Sequence, residues 1–435
     1  MQGTTLAIGI LGSILVLALR PAYALAVYVA ALVWYPNYLR VSIGTIDISA
    51  GRIVVAVLLL RCLCDEQIRR KFVWSRLDTW VTLSMAVYTG IYCITRPLSE
   101  AIENRAGFLI DTWLAYMAVR FIVTDKAVLT SFIKVMAVVM AALAILGIVE
   151  SVTGRFFFLA LKQYRPWNTP VGDVTLVEPR WGFGRANGPF SHSIMFGTCF
   201  VMFLPLIWAL RHQCGYWGKL AYPLSGMAIL GALSSMSSGP WGALVVVIFC
   251  LVLEKYKRWL KTVLVGLAVL CVLAAVGSNR SLHHVLFSYL NLGKGDWWQR
   301  ARLIDCAIED FGKWWLAGYG GRDPGWGAKT GMSHTDGNNE FIVAGVDYGI
   351  WGVIALCSVL AVAIRTLVRM HNLSNDIVLR SWFWSLGTTL VATIVAWQGV
   401  SFFGQMPSIF YCILGVVGSV PVLAGEQIAS SKIRI

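Results

Sequence analysis

The feature that most constrains this chain is a succession of apolar runs, most of them too long for a strand and close to the length that crosses a bilayer. They lie at about 6–19, 22–35, 53–64, 79–95, 108–123, 128–151, 191–210, 220–236, 240–253, 260–277, 340–364, 381–400 and 408–424. A helix needs roughly 20 apolar residues to cross the hydrocarbon core. The runs are continuous rather than alternating, which argues against a β-barrel. Hydrophobic residues make up 57% of the chain and charged residues only 13%, too little polar surface for a soluble protein of 435 residues. The expected fold class is all-α: a polytopic helical membrane protein with about twelve or thirteen transmembrane helices, since the first three runs are short. Residues 1–435 read as a single membrane domain without internal repeats or linkers. Ala22-Tyr23-Ala24 looks like a signal-peptidase site, but no basic segment precedes Leu6 and the apolar run resumes after Pro21. A retained first helix is expected.

Charge orients this scaffold. Lys and Arg number 36 against 22 Asp and Glu, a formal excess of +14. Arg69, Arg70, Lys71 and Arg76 share one loop, and Lys255, Lys257, Arg258 and Lys261 another. Arg365, Arg369 and Arg380 share a third, Arg211 and Lys219 bracket a fourth, and Lys432 and Arg434 end the chain. Counting spans between them, all five clusters fall on one side, which the positive-inside rule makes cytoplasmic. The C-terminus is then cytoplasmic, while the side of the N-terminus stays open. No basic recognition helix occurs, so nucleic acid is not an expected partner. Most of the ten cysteines lie inside apolar runs, where Cys acts as a small hydrophobe, and only Cys306 sits clearly in a long loop. Neither a disulfide framework nor a CxxC zinc pattern is present.

Two long segments fall on the outer side: 152–190, and the larger 278–339, expected to carry amphipathic helices. The first is basic against the charge rule, with Arg155, Lys162, Arg165, Arg180 and Arg185 against Asp173 and Glu178. Anionic lipid headgroups are one explanation. A phosphate or diphosphate on a substrate, held by the planar donor fork of arginine, is the other. Arg185 opens Arg-Ala-Asn-Gly-Pro-Phe-Ser-His, a turn leading into a span and holding the arginine at membrane-surface depth.

In the second segment, Trp297, Ala301, Ile304, Ile308, Phe311 and Trp315 recur at helical spacing and predict an amphipathic helix lying on the outer surface. Arg300 and Arg302 flank this stripe on opposite sides, and both can simply snorkel to headgroups. His334 stands beside Asp336, Asn338, Asn339 and Glu340, and its imidazole could take a proton near neutral pH as a general base must. Asp47, on an early outer loop, is a helix cap, an acidic catalyst or a metal ligand. No HExxH, Cys/His cluster or outer DxD pair occurs, so no metal or other cofactor is expected.

Together these residues resemble a family. Arg185-x-x-Gly188-x-x-x-His192 opening a span, the Ser-Ser-Gly turn at 237–239, Trp-x-x-Arg300-x-x-Leu-Ile-x-x-Ala, Gly-Tyr-Gly at 318–320, and Asn-Glu-Phe-Ile followed by Tyr-Gly349-Ile-Trp-Gly352 look like the O-antigen ligase/polymerase superfamily. The resemblance covers roughly residues 180–355. It implies an inverting, metal-independent glycosyltransferase of the bacterial inner membrane, with its active site facing the periplasm. Such enzymes move a glycan from an undecaprenyl-diphosphate-linked donor to a glycan acceptor, either the lipid A-core or another carrier-linked repeat. A flippase and a chain-length regulator are the expected companions, beside membrane lipids. The resemblance gives the diphosphate-binding role to Arg185 and Arg300, with Arg302 as a further candidate, and supporting roles to Asn338, Asn339, Ser238 and Gly239.

Two departures qualify it. Many members carry Ser-Arg-Gly where this chain has Ser237-Ser238-Gly239, and the family's His-Asn pair falls on Asn338-Asn339. An amide cannot act as base. His334, four residues before Asn338 and on the same face if that stretch is helical, is the substitute, with Glu340 and Asp336 as alternatives. The departures favour an exopolysaccharide or O-antigen polymerase over a lipopolysaccharide ligase. A transporter or flippase of lipid-linked sugar is the alternative, disfavoured because Asp111, Arg120 and Glu150 lie near span ends rather than mid-membrane.

Overall fold

The computed structural model describes residues 2–44, 46–164, 178–289, 297–332, 334–335 and 337–432; Arg165, Asp173, Asp336 and Arg434 lie outside them. Helices account for 78% of the chain. In order they are α1 (Gln2–Ala18), α2 (Pro21–Trp34), α3 (Ala50–Cys64), α4 (Glu66–Lys71), α5 (Arg76–Thr95), α6 (Leu98–Leu109), α7 (Ala115–Ile122), α8 (Lys126–Thr153), α9 (Ser193–Ala209), α10 (Tyr216–Ser234), α11 (Ser238–Lys255) and α12 (Leu260–Gly277). The short α13 (Leu282–Tyr289), α14 (Trp297–Glu309), α15 (Phe311–Trp314) and α16 (Gly327–Thr330) follow. The long α17 (Glu340–Leu373), α18 (Ile377–Ala396) and α19 (Met406–Lys432) close the chain. Every apolar run falls on a helix, the fifth on α6 and α7 joined by a π-helical turn, Ile110–Leu114.

Among the described residues, seven helices are long and apolar enough to cross a membrane. The strongest physical case is α12, an apolar helix in which no residue is buried. Water cannot surround such a helix stably; a membrane can. The chain is thus an all-α, multi-pass membrane protein. Its core is one continuous cluster running from α1 to α19, with α9 and α19 the most enclosed of the membrane-length helices.

Some contacts inside the bundle are ionic. Arg120 grips Asp78 with two nitrogens, Nε to Oδ1 at 2.7 Å and Nη2 to Oδ2 at 2.9 Å. Tyr116 Oη also donates to Asp78, while Arg120 reaches the Val73 carbonyl and Ser419. Both charges are essentially sealed, at 1% and 0% exposure. The pair ties α5, α7 and α19 together.

The long α17 is not one straight span. Gly349 has φ 68° and ψ −169°, a conformation open to glycine, so Glu340–Tyr348 forms a separate helical segment before the crossing part begins. The Gly-Tyr-Gly motif docks into the break: Tyr319 and Gly320 donate their backbone N–H groups to the carbonyls of Val346 and Asp347, and Ile350 donates to Trp315. A Cβ on Gly349 would come within 2.6 Å of the Leu316 carbonyl oxygen, and one on Gly318 within 2.5 Å of that of Val346. The two glycine motifs exist for each other.

Four expectations are corrected. An antiparallel hairpin, β1 (Arg40–Ile43) with β2 (Ile46–Ser49), stands where a plain loop was expected. Asp47 is its clamp, accepting from Ser42 Oγ at 2.6 Å, while Ser49 caps α3. The helix expected from Trp297 to Trp315 breaks at Asp310, which accepts from Trp326 Nε1 and pairs with Lys313. Its buried face is Ala301, Leu303, Cys306 and Ala307, whereas Ile308, Phe311 and Trp315 stay exposed. Finally, the run 381–400 stops being helical after Ala396, leaving 397–405 as irregular backbone.

Replacing Asp78 by Ala strands the buried Arg120 charge and should cost about 3–5 kcal/mol. Thermal unfolding in detergent should show this loss, and the double variant Asp78→Ala/Arg120→Met should recover most of it. A single variant as stable as wild type would refute the role of the pair.

Candidate functional site

The irregular backbone gathers at one end of the bundle. The loop 184–192 is fixed first by Glu150, near the end of α8. Its Oε2 accepts from the N–H groups of Asn187 and Gly188, and its Oε1 from that of Phe157. Gly184 N–H donates to the Ser151 carbonyl and Ala186 N–H to that of Ser234. Upstream, the tight turn Arg180–Phe183 places Trp181 on Trp241 of α11, with ring centroids 5.5 Å apart. Every anchor of this loop is therefore a neighbouring helix end.

That frame holds Arg185 with 8% of its surface exposed. Nη2 donates to Ser237 Oγ at 2.9 Å, and Ser237 lies 3.1 Å from Ser193 Oγ. Its Nε is buried without a hydrogen-bond partner. Burial, and then Arg180, lower its pKa to about 10, so it remains a cation at neutral pH. Seven residues on, His192 caps α9 by accepting from Ile194 N–H through Nδ1. Burial and then Arg185 push its pKa down to about 4.

The segment 397–405 links this loop to the rest of the site. Gln405 Nε2 donates to the Pro189 carbonyl at 3.5 Å, and Phe403 packs edge-on against His192. At its other end Gln398 accepts from Asn339 Nδ2, and the Trp397 carbonyl accepts from Glu340 N–H. Glu340 returns the contact, its Oε2 accepting from Phe402 N–H at 2.8 Å. Arg300 meets the same segment: a Cβ on Gly399 would lie 2.7 Å from its Nη1. The loop that carries Arg185 therefore meets one end of this strip, and Arg300 meets the other.

The other candidates take distinct places. Arg302 pairs with Glu309 at 2.8 Å and lies 3.6 Å from Asp305, and the Glu309 contact raises its pKa. Ser238 is the first residue of α11, and the hydroxyl that receives Arg185 belongs to Ser237. Gly239 has only Ile194 near the position of a Cβ. Asn339 is the cap of α17, accepting from Phe341 and Ile342, and Asn338 is half-buried beside it. His334 is exposed, its backbone packed on Gly327 and its neighbour Thr335 bonded to Asp323. The described residues from 331 to 339 are not helical, so the shared helical face of His334 and Asn338 does not exist.

Sequence reasoning passed over several residues. Glu150 was read only as a span-end charge, and His192 only as a motif letter. Gln398 and Gln405 were placed in or beside an apolar span; their amides, flanked by Gly399 and Gly404, were the available signal. Arg105 was missed entirely: it stacks over Tyr92 at 3.9 Å and donates to Tyr348 Oη next to the docked Gly-Tyr-Gly loop. For metal, the described residues bring together His283, His284 and Asp305, each imidazole Nε2 lying 2.8 Å from a separate carboxylate oxygen. Burial raises the Asp305 pKa, but the two histidine contacts outweigh it and the net shift is downward.

No protein-family model matches the chain, and no curated protein matches it.

The depressed pKa of His192 sets a pH dependence. The unfolded chain takes up this proton near pH 6.5 and the folded one only near pH 4, so stability present above 6.5 falls away as pH drops towards about 4. The unfolding midpoint in detergent should decline over that window. His192→Asn keeps a capping acceptor without the titration and should flatten the decline; an unchanged profile would remove His192 as its source.

Proposed function

We propose that this protein is a surface-polysaccharide polymerase or ligase: a glycosyltransferase that takes its glycan from an undecaprenyl-diphosphate carrier. The observation that carries the reading is Arg185, a partly desolvated cation with one neutral hydroxyl partner, held in the same assembly of irregular backbone as Arg300. Desolvated, preorganised cations are what a departing diphosphate requires, because its negative charge grows in the transition state. The acceptor hydroxyl oxygen attacks the anomeric carbon from the opposite face. The bond to the diphosphate breaks with its electron pair, and the hydroxyl proton passes to a base. Glu340, which opens α17 and accepts from Phe402 of the strip, and His334, on the exposed loop, are the candidates for that base. No metal takes part in this scheme.

The sidedness follows from charge. The contacts Arg211–Glu254, Lys126–Asp376 and Lys257–His371 all lie at helix ends opposite Arg185, in the basic loops that the positive-inside rule assigns to the cytoplasm. The bundle is then read as about twelve or thirteen crossings of a bacterial inner membrane, with Arg185, Arg300 and the segment 278–339 facing the periplasm. The exposed Ile308, Phe311 and Trp315 suit the headgroup layer there. A second reading, a transporter or flippase of lipid-linked sugar, draws on the π-helical turn that carries Asp111, paired in a two-pronged contact with Arg52.

Purified protein given a lipid-linked oligosaccharide in detergent, with no gradient, should lengthen or transfer it; a transporter would not. Arg185→Ala and Arg300→Ala should each lower that rate by about 10²–10³-fold. Arg302→Ala should change it little, because its guanidinium already serves Glu309. Comparing Glu340→Gln with His334→Ala under the same assay assigns the base. Wild-type rates from both arginine variants would end the assignment of the site.

A further inference from the structure

We propose that a crevice at the opposite end of the bundle from Arg185 binds an anionic phospholipid. The crevice has a volume of about 940 Å³ and is lined by residues of α9, α10, α11 and α18 and of the loop after α11. Its walls are apolar, with Leu204, Ile229, Ile248 and Leu251 among them. Tyr222, Ile248 and Val252 on its lining are 56%, 44% and 54% exposed, so it opens sideways, where the acyl layer would be. Its charged lining is one-sided: Arg211, Lys255, Lys257 and Arg380 against Glu254 alone. That carboxylate is already bonded to Arg211 at 2.5 Å. Lys257 Nζ lies 3.1 Å from His371 Nε2, whose Nδ1 lies 3.1 Å from the Arg380 carbonyl oxygen, so one hydrogen-bonded string holds two of the cationic residues together.

A second observation is independent of charge. Ser225 and Ser381, both on the lining, are only 3% and 2% exposed, and their hydroxyls have no hydrogen-bond partner. A buried hydroxyl left unpaired is costly, and a helical serine ordinarily avoids this by bonding back to its own helix. Here two such residues line a crevice that is also lined by cations. A glycerophospholipid supplies each complement at once: phosphate for the cations, ester oxygens for the hydroxyls, acyl chains for the walls. Basic pockets between transmembrane helices are a recurrent setting for anionic headgroups. A water-soluble anion would use the charges and leave the lateral apolar walls uncovered.

The test is native mass spectrometry of the full chain released from detergent with equal amounts of phosphatidylglycerol and phosphatidylcholine. Wild type should retain phosphatidylglycerol preferentially. The double variant Lys257→Gln/Arg380→Gln should lose that preference, its phosphatidylglycerol retention falling by about tenfold. Ser225→Phe, which fills the crevice and leaves the charges in place, should lower retention as well. A thermal midpoint near that of wild type will establish that each variant is folded, and Ser381→Phe replaces Ser225→Phe if the latter is not. Equal retention of the two lipids by wild type, or undiminished phosphatidylglycerol binding by the folded double variant, would overturn the proposal.

Discussion

Irregular backbone inside or beside a bilayer must satisfy its own hydrogen bonds, and much of this structure follows from that constraint. Three non-helical stretches, 184–192, 316–321 and 397–405, lie at the end of the bundle that carries Arg185. None makes regular structure of its own, so each borrows partners from a neighbour. The Glu150 carboxylate receives two N–H groups of the first, the carbonyls of Val346 and Asp347 receive the second, and Glu340 receives Phe402 of the third. Two of these clasps use a carboxylate where a backbone carbonyl would satisfy the donor.

The same constraint decides what could be read from the sequence. The apolar helices were legible because a long apolar run beside lipid has little choice but helix. The break at Gly349 was not, because a glycine in an apolar run is compatible with a continuous helix; only the docking of Gly318–Gly320 against it dictates the positive φ. The exit of α18 lies four residues before the end of its apolar run for a similar reason. Trp397, Val400, Phe402 and Phe403 keep the hydropathy high, although the amides of Gln398 and Gln405 among and after them serve tertiary contacts. The hairpin at 40–49 was hidden by its shortness, four residues on each strand. On α14 packing keeps Ala301 and Ile304 of the expected stripe and adds Leu303, Cys306 and Ala307, while Ile308 stays exposed.

Of the candidate site, the sequence offered residue types and order but no directions. Arg185 was legible because a cation beside a turn that opens a span has few places to go. The roles of Asn339 as helix cap and Ser237 as the arginine's partner depend on contacts with other elements, which no local pattern encodes. His334 and Glu340 illustrate the difficulty most sharply. They are six residues apart, yet one is exposed on a loop while the other reaches across to Phe402.

Arg300 and Arg302 show how the fold turns an ambiguous pattern into a distinction. Two residues apart on a helix, they are separated by about 200° of rotation, so one face cannot hold both. Ala301 and Leu303 are buried between and beyond them, which fixes the rotation of α14 on the bundle. Arg302 is thereby carried to Glu309 and Asp305, where its charge is answered within its own helix. Arg300 is carried to Gly399, and the absence of a side chain there is what allows the guanidinium to approach the strip. In the reaction proposed for this site Gly399 acts through Arg300: a methyl group at that position would displace the cation without removing any charge from the protein.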